Sequence, residues 1–163
     1  MKSVTELLQQ ANWLVVFLLV VFIALAFASM FSPSIDWTNP KTKISKYFTV
    51  YEVTKGSSER IPTDPSIQQN IIDLAQKLDQ LREAWGSPIG IRSWYRPPTI
   101  NAAVGGHPNS RHIYGKAADI YPTNRKIYQF QKFVQENWIG GIGKGARRGF
   151  VHVDTGRVRT WNY

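Results

Sequence analysis

The sequence has no cysteine, few acidic residues and no long basic run. The absence of cysteine excludes a disulfide framework and any metal site built from thiolates. With 11 acidic residues against 20 Lys and Arg, the formal net charge is +9, which suits a polyanion such as nucleic acid, anionic lipid or an anionic wall polymer. No basic run exceeds Arg147-Arg148 and no aromatic–basic stacking pattern is present, so we expect no nucleic-acid partner.

Charge is also missing from an apolar segment near the N terminus, where Ser29 is the only polar residue between Trp13 and Phe31. A helix of this length is about 28 Å long and matches the hydrocarbon core of a bilayer. We therefore expect residues 1–12 to be a short tail and residues 13–31 an uncleaved transmembrane anchor, with the rest on the extracytoplasmic side. Cleavage at Ala26-Phe27-Ala28 would instead leave a secreted protein.

The rest of the chain is expected to hold one domain, residues 47–163, after a linker at residues 32–46 that contains two prolines. A hydrophobic content of 43% in 163 residues is enough for a packed core. Asp64-Pro65 predicts the start of a helix, and Gly86 predicts its end. The apolar residues between them recur every three or four positions. They are Ile67, Ile71, Leu74, Leu78, Leu81 and Trp85.

The remaining elements are predicted from shorter patterns. Alternation over residues 48–53 predicts a strand or extended segment. A loop rich in Asn, Gly and Pro is expected from Thr99 to Ser110, and a second helix from Asn124 to Asn137. Four further strands are predicted, at residues 89–95, 117–121, 139–143 and 150–154. This order predicts an α+β fold in which helices flank a small, mostly antiparallel sheet.

Two segments carry the candidate chemistry. His112 and Asp119 lie in the first, and His152 lies in the second beside Asp154. Imidazole nitrogen and carboxylate oxygen suit zinc, and three protein ligands leave a fourth position for water. His152 and Asp154 alternate along a predicted strand, so both point to one face. Taken alone, such a trio is more often part of an ordinary polar surface than a metal site.

Several ordered motifs resemble the zinc D-alanyl-D-alanine carboxypeptidases and peptidoglycan endopeptidases, which share a fold with the hedgehog signalling domain. Residues 110–119 have the pattern S-x-H-x-x-G-x-A-x-D, and residues 152–154 follow as H-x-D. Upstream, residues 93–96 and 101–110 resemble the family's S-x-Y-R and N-x-x-V-G-G-x-x-N-S segments. The similarity extends over most of the predicted domain and excludes the apolar segment.

The resemblance implies one zinc ion held by His112, Asp119 and His152. It also implies that Arg96 contacts the scissile carbonyl or a substrate carboxylate, and that Ser110 hydrogen-bonds a substrate carboxylate. Many relatives have an acidic general base three residues before the last histidine, where this chain has Gly149.

The proton acceptor must therefore be found elsewhere. Asp154 is the nearest candidate, either as the acceptor or as a carboxylate that orients His152. His107 in the predicted loop is another titratable group. The expected activity is zinc-dependent hydrolysis of peptidoglycan stem or cross-link peptides, by a D,D- or L,D-carboxypeptidase or endopeptidase. The alternative is a module that binds zinc and wall peptides without catalysis.

Overall fold

The computed structural model describes Trp13, residues 15–23 and residues 35–163. Contacts divide the chain into two units, Met1–Ser34 and Ile35–Tyr163. In the first unit the described residues are helical and their apolar side chains are exposed. Across the described ranges, no helix combines the length and the apolar character that membrane crossing requires. The predicted tail, residue 14 and residues 24–31 of the predicted anchor lie outside the described residues.

The second unit is built on a five-stranded sheet with the strand order β1-β2-β4-β3-β5. Its strands are β1 (Ile89–Ser93), β2 (Ala117–Pro122), β3 (Gly141–Lys144), β4 (Val151–Asp154) and β5 (Arg159–Asn162). The pairings β1·β2, β2·β4 and β3·β4 are antiparallel, whereas β3·β5 is parallel. The α+β class is therefore confirmed, and the sheet is mixed. Every strand except β5 was predicted from the sequence.

Four α-helices accompany the sheet. They are α1 (Val50–Thr54), α2 (Pro65–Trp85), α3 (Pro98–Ala103) and α4 (Ile127–Asn137). Three short 3₁₀ helices lie at Ser58–Arg60, Arg111–Tyr114 and Ala146–Arg148. Helix α2 has the predicted ends, because Asp64 Oδ1 accepts a hydrogen bond from the Ser66 amide at 2.7 Å and Gly86 is left-handed with φ 68°.

Three local predictions differ from the structure. Residues 48–53 do not form a strand, because the Glu52 carboxylate accepts from the Thr49 amide at 2.8 Å in a capping box that starts α1. The first part of the expected loop from Thr99 to Ser110 is helical, with Pro98 at the first position of α3, where a missing amide hydrogen costs nothing. Helix α4 begins later than Asn124, after Arg125 takes a left-handed conformation with φ 62°.

The core lies between α2, α4 and the sheet. Ile71, Leu74 and Leu78 of the predicted stripe are completely buried, while Ile67 and Trp85 at its ends are half-buried. Residues 35–46 of the expected linker also contribute to this core, because Trp37 and Ile44 are both buried in it. The fully buried Trp94, directly after β1, packs edge-on against Phe48 at a centroid distance of 5.7 Å. This packing fixes the backbone carbonyl of Trp94, which the functional site uses.

Candidate metal centre

The two central strands bring together residues that are far apart in the sequence. Asp119 on β2 and His152 on β4 are direct Cα partners in the antiparallel register. Their side chains therefore leave the same face of the sheet. His112 reaches this face from the 3₁₀ helix Arg111–Tyr114, whose first turn is capped by Ser110. We call His112, Asp119 and His152 the ligand triad.

The three potential donor atoms of the ligand triad form a compact triangle. His112 Nε2 lies 3.1 Å from His152 Nδ1 and 3.3 Å from Asp119 Oδ1, and the last two atoms are 2.9 Å apart. Tetrahedral zinc with bonds of about 2.0–2.2 Å separates its ligand atoms by roughly 3.3–3.6 Å. All three residues are buried. Their donor chemistry and spacing therefore fit zinc after movements of a few tenths of an ångström or less.

Each imidazole has a polar contact on the side that faces away from the centre of the triad. His112 Nδ1 is 2.6 Å from the Trp94 carbonyl oxygen, so it donates there and leaves the Nε2 lone pair free. The His152 ring has the opposite orientation to that of His112. Its Nδ1 faces the triad and its Nε2 lies 3.4 Å from Asp154 Oδ2. Such outer partners fix the tautomer and orientation of a ligating histidine.

The pKa values of His112 and Asp119 favour a cation at this position. Burial acts to lower the pKa of His152, but its contacts with Asp119 and Asp154 outweigh this effect and raise that pKa. Burial lowers the pKa of His112, which favours the neutral imidazole that a metal requires. Burial acts to raise the pKa of Asp119, but hydrogen bonds from both histidines outweigh it and hold this pKa below its usual value. The triad thus combines an ionised carboxylate with a neutral His112.

Asp154 lies behind His152 and is completely buried. Arg159 binds it through two nitrogens, Nη1 at 3.0 Å to Oδ1 and Nη2 at 2.6 Å to Oδ2, and the Gly156 amide donates to Oδ1 at 2.7 Å. Burial acts to raise the Asp154 pKa, but the hydrogen bonds from His152, Arg159 and Gly156 hold it below the usual range. Both oxygens are therefore engaged as acceptors on the side of His152 remote from the triad.

A cleft of about 620 Å³ opens over the triad, with His112 and His152 in its wall. Asp154 is the only carboxylate among its described lining residues, whereas five arginines line it. These are Arg96, Arg111, Arg148, Arg157 and Arg159. The cleft is therefore suited to an anionic ligand.

The structure brings the other predicted site residues to this cleft. The Arg96 side chain is 14% exposed, its Nη2 lies 3.6 Å from Asp119 Oδ2, and its Nε has no hydrogen-bond partner in the described part of the chain. Ser110 Oγ accepts from the His112 amide at 3.3 Å, so it caps the 3₁₀ helix while also lining the cleft. His107 lines the cleft as well, and its Nδ1 accepts from the Asn109 amide at 3.0 Å.

Trp161 and Tyr163 form an aromatic wall that was not predicted from the sequence. The Trp161 ring lies 5.2 Å from that of His152, and the Tyr163 ring lies 6.1 Å from it. Gly143 leaves the space for this packing, since a Cβ there would be 2.4 Å from the Tyr163 ring and 3.0 Å from the His152 Cβ. The alternation of Arg159, Trp161 and Tyr163 is a signal that would have placed these three side chains on one face.

Comparisons with known proteins agree with this geometry. The chain is 33% identical over 103 residues to the probable peptidoglycan L,D-endopeptidase MepK of Haemophilus influenzae, covering 60% of this chain and 53% of the relative. It is 33% identical over 90 residues to the zinc D-Ala-D-Ala carboxypeptidase of Streptomyces albus G, covering 53% and 35%. It is 27% identical over 124 residues to the peptidoglycan L,D-endopeptidase MepK of Escherichia coli, covering 73% and 63%. The chain thus spans between about a third and two thirds of these relatives.

A family profile also matches most of the domain. The profile described as peptidase M15 matches residues 46–154, which include the whole ligand triad and Asp154. The chain belongs to the peptidase M15 family.

Proposed function

We propose that this protein is a zinc-dependent peptidase that hydrolyses stem or cross-link peptides of peptidoglycan. The observation that carries the proposal is the buried ligand triad at the base of an arginine-lined cleft. The named activities of the relatives, one carboxypeptidase and two L,D-endopeptidases, support the same substrate class. They leave D,D- and L,D-specificity as alternatives within the proposal. We also propose that the domain has the fold of the hedgehog signalling domain.

His112, Asp119 and His152 would hold the zinc ion, which when bound polarises a carbonyl and lowers the pKa of a coordinated water to about 7. Arg96 is suited to the developing negative charge, because its Nε has no other partner in the described residues and its guanidinium enters the cleft. Ser110 can hydrogen-bond a substrate carboxylate while its Oγ still accepts from the His112 amide.

Asp154 and His107, the two candidates for the proton acceptor, are both already engaged in hydrogen bonds. Both Asp154 oxygens accept from Arg159, and one also faces His152 Nε2. Protonation of His107 at Nδ1 would break its hydrogen bond with the Asn109 amide. We therefore assign Asp154 the role of orienting His152, and we propose that water or a carboxylate of the substrate accepts the proton.

The test is incubation of purified peptidoglycan with the full-length chain, with and without a chelator, followed by mass spectrometry of the fragments. New fragments that depend on metal would support the proposal, and their masses would identify the bond cleaved. The His112→Ala, His152→Ala double variant is the control for a contaminating hydrolase. Fragments that persist with this variant or with chelator would contradict the assignment.

One observation favours a second candidate, a module that binds zinc and wall peptides without cleaving them. Gly149 occupies the position of the acidic general base found in many relatives, and it is left-handed with φ 78°. A side chain there would be strained, so this turn is shaped for glycine rather than for a carboxylate. Zinc-dependent binding to peptidoglycan without new fragments would support this alternative.

The location of the protein is a separate proposal. We propose that residues 13–31 anchor the chain in a membrane and that the domain faces the cell wall on the extracytoplasmic side. The apolar character of the segment and a wall substrate support this arrangement. Cleavage of the segment would give a secreted form with the same domain.

A further inference from the structure

Gly156 and Arg111 are packed together at the edge of the cleft. A Cβ at Gly156 would lie 2.4–2.6 Å from Nε, Cζ and Nη2 of Arg111. Gly156 is not among the glycines with positive φ, so its backbone could be adopted by other residues. A methyl group at this position would have to displace the Arg111 guanidinium, whereas glycine leaves the space that the guanidinium occupies.

Only one side of this guanidinium is paired. Arg111 Nε lies 3.4 Å from Asp154 Oδ1, and the side chain has no hydrogen bond to any other described residue. The Asp154 charge is already met by the two-nitrogen contact with Arg159. Arg111 lines the cleft and is 37% exposed. Arg111 therefore presents a cation to the cleft with nitrogens that remain available to a ligand.

We propose that Arg111 binds a carboxylate of the peptide substrate and is a specificity-determining residue of the cleft. Charge-assisted pairing of a planar guanidinium with a carboxylate gives both energy and orientation. This inference rests on the proposed function, because it assumes that a wall peptide lies in the cleft.

The position of Arg111 specifies which carboxylate is bound. Asp154 stands between His152 Nε2 and Arg111 Nε, at 3.4 Å from each. The guanidinium is therefore within about three residues of extended peptide from the ligand triad. The carboxylate belongs to a neighbouring residue of the substrate, whereas Arg96 lies directly beside Asp119.

The test measures binding of a synthetic stem peptide and of matched forms in which each carboxylate in turn is an amide. Calorimetry uses the full-length chain with chelator present, so that no turnover occurs. In the wild type we expect one amide substitution to weaken binding by about 10- to 100-fold. Arg111→Gln should bind the acid form as weakly as that amide form, and Gly156→Ala should do the same with the arginine still present.

Arg125→Gln is the matched control, because Arg125 is exposed in a turn outside the cleft and the substitution removes the same charge. It should keep the full preference for the acid form. Zinc content, measured separately on each variant before chelation, reports whether the ligand triad is intact.

Two results would overturn the inference. One is a wild-type protein that binds all amide forms as well as the acid. The other is an Arg111→Gln protein that loses affinity equally for every form, or loses zinc, which would show that Arg111 only supports Asp154. Acid preference without any cleavage of peptidoglycan would contradict the proposed function alone, and cleavage without acid preference would contradict this inference alone.

Discussion

Replacing Asp154 by Asn separates the two roles open to this carboxylate. The change keeps the shape of the side chain but replaces one acceptor oxygen by an NH₂ donor. At Oδ1 the new donor would face the Gly156 amide, 2.7 Å away, and Arg159 Nη1, 3.0 Å away. At Oδ2 it would face Arg159 Nη2 at 2.6 Å and His152 Nε2 at 3.4 Å. Either orientation sets donor against donor in a completely buried position.

The size of the effect follows from these contacts. Loss of charged hydrogen bonds predicts a decrease of about 1–3 kcal/mol in the free energy of unfolding. Because the carboxylate no longer holds the His152 tautomer whose Nδ1 faces the triad, zinc affinity should fall by roughly 10- to 100-fold. Excess zinc should then restore most of the peptidase rate, since a fully loaded site regains its geometry.

The assay is competition for zinc against a chromogenic chelator, combined with the hydrolysis rate at limiting and at saturating zinc. Asp73→Asn on the exposed face of α2 is the control for the same chemical change, and it should match the wild type in both measurements. An Asp154→Asn protein with normal zinc affinity and a rate that excess zinc does not rescue would refute this reasoning. Asp154 would then be the proton acceptor.

Further outcomes test other parts of the structure. The His112→Ala, His152→Ala variant should lose its single zinc ion by metal analysis, and full retention would contradict the ligand assignment. Gly143→Ala should lower the melting temperature and weaken zinc binding, because the new methyl group meets the Tyr163 ring and the His152 Cβ; an unchanged protein by both measurements would show that the wall has no such role. The Asp154 pKa is lowered by folding. The contribution of this carboxylate to the free energy of unfolding is therefore complete above the unfolded-state pKa of about 3.9, and it disappears as pH falls through the lower folded-state value. In chelator, the stability difference between wild type and Asp154→Asn should grow as pH falls through the folded-state pKa of His152, because Asp154 helps to raise that pKa, and it should shrink below about pH 4. Full-length protein should sediment with membranes after carbonate washing whereas residues 33–163 stay soluble, and an unprocessed full-length chain left in the supernatant would exclude an anchor.

The parts of the fold that the sequence predicts are those with local signals. Helix α2 carries its own start and end signals at Asp64-Pro65 and Gly86, and its apolar spacing is regular. Helix α1 was missed although Thr49 and Glu52 form a capping box, because alternation over the same residues favoured a strand. Strand β5 has only a weak signal, the alternation of Arg159, Trp161 and Tyr163, and its parallel pairing with β3 is non-local.

The candidate site was predictable in its residue types but not in its geometry. The motif spacing indicated His112, Asp119 and His152, and the structure places their donor atoms within 4.8 Å of one another. The contact between His112 and the Trp94 carbonyl depends on how a buried tryptophan packs after β1, which no local pattern encodes. The Arg159 contact with Asp154 likewise depends on where the unpredicted strand β5 lies.

Because Asp119 and His152 are paired in register, the metal site forms only when β2 and β4 pair correctly. A slip of one residue between β2 and β4 would turn one of these side chains to the opposite face of the sheet and divide the donor set. Chains with the strands misaligned would then have no site, whereas correctly aligned chains would be stabilised by mass action, by an amount that grows with the logarithm of the free zinc concentration. Zinc binding during folding would thus favour one strand alignment among those that hydrophobic burial alone permits.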